Sequence, residues 1–466
     1  MRKSKPVYQL LHLIFILVPK FFKEFNFDCM KVLKFGGTSV GAAERMKEAA
    51  RLINSSESKI VVLSAMSGTT NALVQIAETL YSKKNSKANQ LITQLEKKYK
   101  QVISELYSDP DVSKEATALI DSHFNYIKSF TQDLFTIHEE RAILAQGELI
   151  STALFHLYLT EQKIDSVLLP ALNFMRIDTN GEPDNYYIKE NLKRELEKYP
   201  DKKLFITQGY ICRNLYGEVD NLKRGGSDYS ASLIGAAINA EEIQIWTDIS
   251  GFHNYDPRFV ENTYSIERLS FDEAAELAYF GAKILHPSSV LPAKVANIPV
   301  RLKNTMKPED PGTLISDEAK GKGIKAVAAK DGITAIKIKS GRMLLAYGFL
   351  RKVFEVFERF KTPIDMITTS EVAVSVTIDD TSYLSEITEE LKYYGAVEVD
   401  SNQTIICVVG ENLIEQKGII NKVLEALKHL NLRMISYGGS RHSISILVNA
   451  TDMKEALNSL NRLFSN

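Results

Sequence analysis

The sequence predicts an α/β domain on a mainly parallel sheet, followed by two small α+β modules in tandem. Three observations carry this. Apolar strand-type runs break at glycines and lead into helical patterns twice: V-L-K-F-G-G-T-S-V (Val32 to Val40) and K-I-V-V-L-S-A with M-S-G-T-T-N (Lys59 to Asn71). That is the repeat of a doubly wound sheet. The run from Lys59 is continuous and not alternating, as in a strand buried on both faces. Towards the C-terminus a new pattern appears twice: K-V-F-E-V-F-E-R-F-K-T-P-I-D-M-I (Lys352 to Ile367) matches K-V-L-E-A-L-K-H-L-N-L-R-M-I (Lys422 to Ile435).

Taken in order, a helical pattern runs from Ala42 to Asn54 and another begins at Ala72. Gly36-Gly37 turns a strand into a helix, which presents bare N–H groups and a helix N-terminus at one point, a good place for phosphate. Lys34 precedes the turn and reaches the same place as a point charge; alone, the stretch also reads as an ordinary turn with a solvated lysine. Ser64, Thr69 and Thr70, at the carboxyl end of the next strand, are expected to face the same crevice. Residues 83–160 read as mostly helical, ending in A-Q-G-E-L-I-S-T-A-L-F, where Glu148 stands out on an apolar face. Strands return at Ser166 to Leu169 and Leu204 to Tyr210. K-R-G-G-S-D-Y-S-A (Lys223 to Ala231) is a second phosphate-grade turn, with Arg224 at its mouth and Asp228 in the first helical turn. The strand E-I-Q-I-W-T follows, then Asp256-Pro257-Arg258, and a helix opened by the capping box Ser270–Glu273. Residues 309–323, rich in Gly, Pro, Asp and Lys, read as a domain boundary. Each later repeat is a strand, a helix and two strands, continuing into helical sequence.

Composition narrows the function. With 57 basic and 58 acidic residues in 466, the chain has no basic surface to select nucleic acid. Three scattered cysteines (Cys29, Cys212, Cys407) make neither a disulfide framework nor a metal knuckle and suit a reducing compartment, the cytoplasm. Residues 1–29 imitate a signal peptide but lack a small-residue cleavage site, and the apolar run is too short to span a bilayer. They are expected to be an extension upstream of Met30, a mistaken start, with no membrane role.

The sequence has no Walker A pattern, protein-kinase loop or nucleophile elbow, no zinc spacing, and only a weak near miss of a dinucleotide loop at Gly321-Lys322-Gly323. Two glycine turns with Lys34, Arg224, Arg258 and Lys283 suit phosphoryl transfer, where positioning and charge neutralisation carry the catalysis. A carboxylate acceptor would need no histidine base, being ionised at pH 7.

K-F-G-G-T-S-V, L-S-A-M-S-G-T-T-N, Q-G-E-L-I-S, R-G-G-S-D-Y-S-A, W-T-D-I-S-G, D-P-R and F-G-A-K-I-L-H-P, followed by the double repeat, resemble aspartate kinase over residues 31–466. The chain ends after the second ACT repeat and so resembles the monofunctional, lysine-sensitive type. The resemblance implies an amino-acid kinase fold, a three-layer sandwich around a mainly parallel sheet, over residues 30–308. A linker at 309–323 and ACT modules at 324–400 and 401–466 follow, the second sharing a strand from 324–332. It implies ATP-dependent phosphorylation of the aspartate side-chain carboxylate. Lys34 would neutralise the transferred group beside the N–H groups of Gly36 and Gly37, and Asp228 would orient Lys34. Arg224 would pair with the substrate carboxylate and Glu148 with its ammonium, with Ser64, Thr70 and Ser227 as further contacts. Phe35, Thr247, Asp248, His253, Arg258, Lys283 and Ile284 would hold nucleotide, with Mg²⁺ bridging its phosphates and no protein metal ligand. His253 departs from the family's tyrosine. Alternatives are a glutamate 5-kinase or acetylglutamate kinase type, or an inactive amino-acid-sensing regulator; the paired ACT repeats and R-G-G-S-D weigh against the first two.

The resemblance also implies an ACT-mediated homodimer, possible as half of a tetramer, and feedback by an amino acid. The expected effector is lysine, held in the first repeat at Met343, Gly348, Leu350, Asp365, Ser370 and Glu371. The second repeat carries Arg433, Gly438 and Gly439 at the equivalent positions and lacks the acidic pair. Threonine, the alternative, would leave two acidic groups without a cationic partner.

Overall fold

The computed structural model describes residues 30–132, 134–222, 225–281, 284–317, 323–341 and 347–464. The 1–29 extension, Arg224, Lys283 and Met343 lie outside the described residues. The first part of the chain forms β1 (Lys31–Phe35), α1 (Ala43–Ile53), β2 (Lys59–Leu63), α2 (Thr69–Tyr81), α3 (Asn85–Leu106), α4 (Pro110–Ser129), α5 (Ile137–Glu161), β3 (Val167–Leu169), α6 (Asn185–Glu197) and β4 (Leu204–Gln208). It continues through β5 (Ile211–Arg213), β6 (Val219–Asn221), α7 (Gly226–Ile238), β7 (Glu242–Thr247), β8 (Arg268–Leu269), α8 (Phe271–Tyr279), α9 (Leu291–Val295), β9 (Val300–Asn304) and β10 (Thr313–Ile315).

Eight strands make one sheet in the order β3-β4-β2-β1-β7-β9-β10-β8, parallel from β3 to β9. The central strands β2 and β4 are buried along their whole length, on both faces, which explains their largely apolar sequence. Alternate residues of β1 go to opposite layers: Val32 joins the core containing α6 and α7, while Leu33 and Phe35 join the core containing α1 to α4. By the period of two, Lys34 shares the Val32 face and points towards α7. The helix α5 is 25 residues long and apolar enough to span a membrane, but most of its apolar stretch is buried inside the protein, chiefly in the core with α1 to α4.

One boundary differs from the sequence reading. Thr313–Ile315, inside the stretch expected as linker, is a strand of the first sheet, antiparallel to β9 and parallel to β8. Pro311-Gly312 is therefore a turn into a strand paired on both sides, and not the end of the domain. Gly312 is required there: its φ is 69°, and a Cβ would lie 1.8 Å from the Leu302 carbonyl oxygen.

The rest of the chain forms β11 (Gly323–Lys339), α10 (Phe349–Arg359), β12 (Ile367–Thr369), β13 (Ala373–Ile378), α11 (Leu384–Leu391), β14 (Ala396–Glu411), α12 (Ile419–Ala426), β15 (Met434–Tyr437), β16 (Ser443–Asn449) and α13 (Met453–Asn461). Its six-stranded antiparallel sheet has the order β12-β13-β11-β14-β16-β15. The long central strands β11 and β14 each serve both repeats: the first half of β11 pairs with the second half of β14, and the reverse. Both repeat helices start after a glycine in the left-handed region, Gly348 (φ 81°) before α10 and Gly418 (φ 79°) before α12. One face of this sheet carries its own helices: Ile336, Val374 and Val376 pack in one core with Val353 and Val356, and Ile406, Val408 and Ile446 in another with Val423 and Leu457. The other face, including Ala326, Ala328, Ile405, Cys407 and Val409, shares a core with Ala274 and Leu277 of α8. A helix of the first part thus forms the back wall of the second.

Candidate active site

Several of the candidate side chains gather near the carboxyl ends of β1, β2, β4 and β7, where adjacent parallel strands leave a crevice. Lys34 Nζ lies 2.7 Å from Asp228 Oδ1, and both side chains are largely buried. Asp228 is held in the first turn of α7 because that helix begins on two glycines in left-handed backbone, Gly225 (φ 65°) and Gly226 (φ 49°). The negative charge also sits at the positive end of the helix dipole.

The two glycines after β1 have different duties. The Gly36 N–H donates to the Trp246 carbonyl at 3.2 Å, continuing the β1–β7 ladder, so it is not open to a phosphate as the resemblance implied. The Gly37 N–H makes no hydrogen bond among the described residues, and a Cβ there would come within 3.0 Å of the Ala65 carbonyl oxygen. Phe35 is fully buried, stacked on Trp246 at 5.6 Å between ring centroids; only its backbone can face a nucleotide.

Glu148 lies on α5 with its side chain buried and Oε2 without a hydrogen bond. Gly147 allows this placement: a Cβ there would sit 2.8 Å from the Ala65 Cβ, so only glycine lets α5 approach the loop after β2 so closely. Burial pushes the Glu148 carboxyl up to about 8, against the opposing effect of the Ala65 backbone N–H and the Lys34 charge. Glu148 is thus a buried carboxyl with an unused oxygen, sensed by Lys34 across the crevice.

Ser64 is half-buried, and its carbonyl accepts from Ser151 Oγ at 2.8 Å. Thr70 is exposed in the first turn of α2. Thr69 does not face the crevice: it is buried and bonds the Tyr99 hydroxyl at 3.0 Å, a packing role. Ser227 is buried against Gly209, which again must be glycine, since a Cβ would fall 2.3 Å from the Ser227 Cβ.

Beyond β7, Thr247 Oγ1 donates to the exposed Asp248 at 3.1 Å. Arg258 is largely exposed and folded onto Asp256, with Nε 3.0 Å from Oδ1. His253 is half-buried, with Nδ1 3.5 Å from Thr263 Oγ1, and burial lowers its pKa against the pull of Asp256. Ile284 packs against the core. Residues that sequence reasoning passed over are those that hold the loops: Ser151, Ser39 (2.7 Å from Thr305 Oγ1) and Lys98, whose Nζ donates to the Ser67 carbonyl at 2.6 Å. Ser151 lies inside the Q-G-E-L-I-S stretch, one helical turn after Gly147, and that spacing was the signal available for it.

In the antiparallel region, Gly348 caps α10, Leu350 is partly exposed on it, and Ser370 and Glu371 lie in the exposed turn between β12 and β13. Asp365 is buried and already partnered: Lys330 Nζ lies 2.6 Å from Oδ1, and the Tyr279 hydroxyl of α8 donates to the same atom at 2.8 Å. Lys330 also pairs with Asp379 at 2.9 Å. Asp365 Oδ2 makes no hydrogen bond. The Arg433 of the second repeat pairs with Asp400.

Residues 30–304 match the model of the amino acid kinase family, and residues 406–464 match an ACT domain model. The lysine-sensitive aspartokinase 3 of Escherichia coli is 34% identical over 452 residues, spanning 92% of this chain and 98% of that protein. The chain belongs to the amino acid kinase family, as an aspartokinase. Aspartokinase 1, chloroplastic, of Arabidopsis thaliana is also 34% identical, over 93% of this chain and 80% of its own length. The structure of Escherichia coli aspartokinase III with lysine and aspartate matches with a TM-score of 0.77 at 31% identity, over 93% of this chain and 99% of that one. The Clostridium acetobutylicum aspartate kinase matches with a TM-score of 0.81 at 27% identity, over 93% and 100%. The activity is therefore aspartate kinase, in aspartate-family amino-acid biosynthesis, with a nucleotide as cosubstrate and allosteric regulation through the ACT region.

The close approach at Gly209 gives a first prediction. Gly209→Ala forces the start of α7, and Asp228 with it, away from the sheet. Overpacking of this kind costs about 1–3 kcal/mol, and turnover should fall at least as sharply because the Lys34–Asp228 contact is displaced. A thermal melt and a steady-state assay check this; a variant with unchanged melting temperature and turnover contradicts the assigned packing.

Proposed function

We propose that the Lys34–Asp228 pair and Glu148 divide the chemistry between phosphoryl group and substrate. The observation that carries this reading is their arrangement: a buried ion pair on one wall and a buried carboxyl with a free oxygen on the other. Lys34 neutralises charge on the transferred phosphoryl group, helped by the Gly37 N–H. Asp228 keeps the ammonium in place and is a positioning residue. Glu148 takes the ammonium of aspartate, Arg224 its α-carboxylate in bidentate fashion, and Ser64, Thr70 and Ser227 line the same side. The side-chain carboxylate of aspartate attacks the γ-phosphorus directly, since it carries no proton to remove.

The nucleotide lies towards β7, with Thr247, Asp248, His253, Arg258, Lys283 and Ile284 around it. The carboxylates Asp228 and Asp256 are already paired with Lys34 and Arg258, which suits a Mg²⁺ held by phosphate oxygens and not by a protein cage. Such an ion supplies further charge neutralisation between the phosphates.

Lys34→Ala should reduce turnover by about 10²–10³-fold, the loss of one preorganised charge-stabilising contact, in a protein that stays folded. Near-normal turnover would sink the assignment. A coupled assay offering aspartate, glutamate and acetylglutamate separates acceptor choice from a general loss.

Glu148 gives a pH signature. Below about 8 the empty site holds its carboxyl protonated; an ammonium requires the carboxylate. Aspartate binding should therefore release about one proton near pH 7, and its affinity should rise as pH climbs towards 8. Calorimetry in buffers of different ionisation enthalpy counts that proton. Glu148→Gln should bind aspartate weakly with no proton release while ATP binding changes little. Equal losses for both ligands would make Glu148 a structural residue.

For regulation, lysine is the effector and the first ACT repeat its site. Asp365, Asp379 and Glu371 outnumber Lys330 there, and Asp365 Oδ2 has an oxygen to offer a second cation. Dimerisation through the ACT sheet belongs to the same reading. Initial rates against lysine and threonine separately should show inhibition by lysine that Asp365→Ala weakens about tenfold or more, consistent with couplings of roughly 1–3 kcal/mol. Inhibition by threonine alone, or lysine inhibition untouched by Asp365→Ala, means the site is elsewhere.

A further inference from the structure

A second cluster of chemistry-bearing side chains lies where α8 meets the ACT sheet, away from the substrate crevice. Glu273 from α8, Glu411 from the end of β14 and His442 just before β16 each bring a ligand atom within 4.8 Å of the others. Three of their atoms are buried and make no hydrogen bond: Glu273 Oε1, Glu411 Oε2 and His442 Nδ1. The Glu273 side chain is 0% exposed, yet its two oxygens are treated differently. Oε2 accepts from the Ser270 backbone N–H at 2.7 Å, closing the capping box, and from Lys325 Nζ at 2.7 Å. Oε1 has no partner and shares the gap with Glu411 and His442.

Leaving a buried carboxylate oxygen and its neighbours unpaired is costly. None of the three atoms makes a hydrogen bond to another. Lys325 does not fill the gap: it is engaged at Oε2 and lies 4.0 Å from Glu411 Oε2. Two carboxylates and one ammonium leave one net negative charge, which a divalent cation overcompensates by only one unit. We propose that Glu273, Glu411 and His442 form a divalent-metal site that ties the catalytic domain to the second ACT repeat.

The donor set indicates the ion. Two carboxylate oxygens and an imidazole nitrogen suit Zn²⁺, or Mn²⁺ in its absence, better than Mg²⁺, which takes oxygen ligands in an octahedron. Zinc ligands stand about 2.0–2.2 Å from the ion, and Glu411 and His442, both half-buried, have room to adjust to that distance. The capping box and Lys325 orient Glu273, the service that outer groups give to metal ligands. A cavity of about 520 Å³ lined by Asp272, Glu276, Tyr279, Arg441 and His442, among others, adjoins the cluster and gives an ion its way in.

The test uses the full chain, stripped with a chelator and kept free of nucleotide. Zn²⁺ titrated in competition with a chromophoric chelator should load about one site per chain and should not be displaced by equal Mg²⁺. Removing a group that only orients a ligand costs about 10–100-fold in metal affinity; the double variant Glu411→Gln, His442→Ala removes two ligands and should lose at least that. Glu273 is left intact because it also caps α8. Absence of tight Zn²⁺ uptake by the wild type, or the same uptake in the double variant, overturns the proposal. Should the double variant fail to fold, pulsed EPR of Mn²⁺ bound to the wild type decides: an imidazole nitrogen coupled to the ion supports the site, and no nitrogen coupling overturns it.

Discussion

The Lys34–Asp228 ion pair is the contact on which the arrangement of the catalytic domain depends. It can form only if β1 keeps its register, since a shift of one residue would turn Lys34 to the opposite layer. It also requires α7 to begin within reach of β1, which the left-handed glycines Gly225 and Gly226 and the bare Gly209 permit. Two charges this close in a buried crevice would cost more than they return if either stood alone. The fold therefore holds them as a pair. The same reasoning makes Gly147 inseparable from Glu148: the glycine sets the distance and the carboxylate uses it.

How much of this was legible in the sequence depended on the kind of signal. The strand–glycine–helix units, the capping box at Ser270 and the duplicated helix-plus-strand pattern are local, and the folded chain has them where periodicity and turn residues put them. Lys34 and Asp228 were readable as candidates because each stands beside a glycine turn. What could not be read was the use of individual backbone and hydroxyl groups. Gly36 spends its N–H on Trp246, Thr69 spends its hydroxyl on Tyr99, and both partners are distant in sequence. The strand at Thr313–Ile315 was hidden for a related reason. Three residues after Pro-Gly carry no periodicity, and only the neighbouring strands β8 and β9 make them a strand. The partners of Asp365 belong to the same class, since Lys330 and Tyr279 come from a shared strand and from another domain.

Regulation requires an element that both the effector region and the active site touch, with contacts that differ between two states. The helix α8 meets the first condition. Its N-terminal end is tied to β11 through Glu273 and Lys325, and its C-terminal end through Tyr279, Asp365 and Lys330. Both lysines belong to one strand, the strand that runs through both ACT repeats. Between these ties the apolar side of α8 is buried in the core that also contains β1, β7 and α7. A ligand that changed the partners of Asp365 would alter one end of this helix while the other end stayed anchored. At about 1.5 Å per residue the helix spans only some 13 Å, and a packed element that short moves as a unit and does not bend. Phe280, the residue immediately after it, is buried in that same core. A change at the ACT sheet therefore has a mechanical route, through a single helix, into the core that underlies β1, β7 and α7.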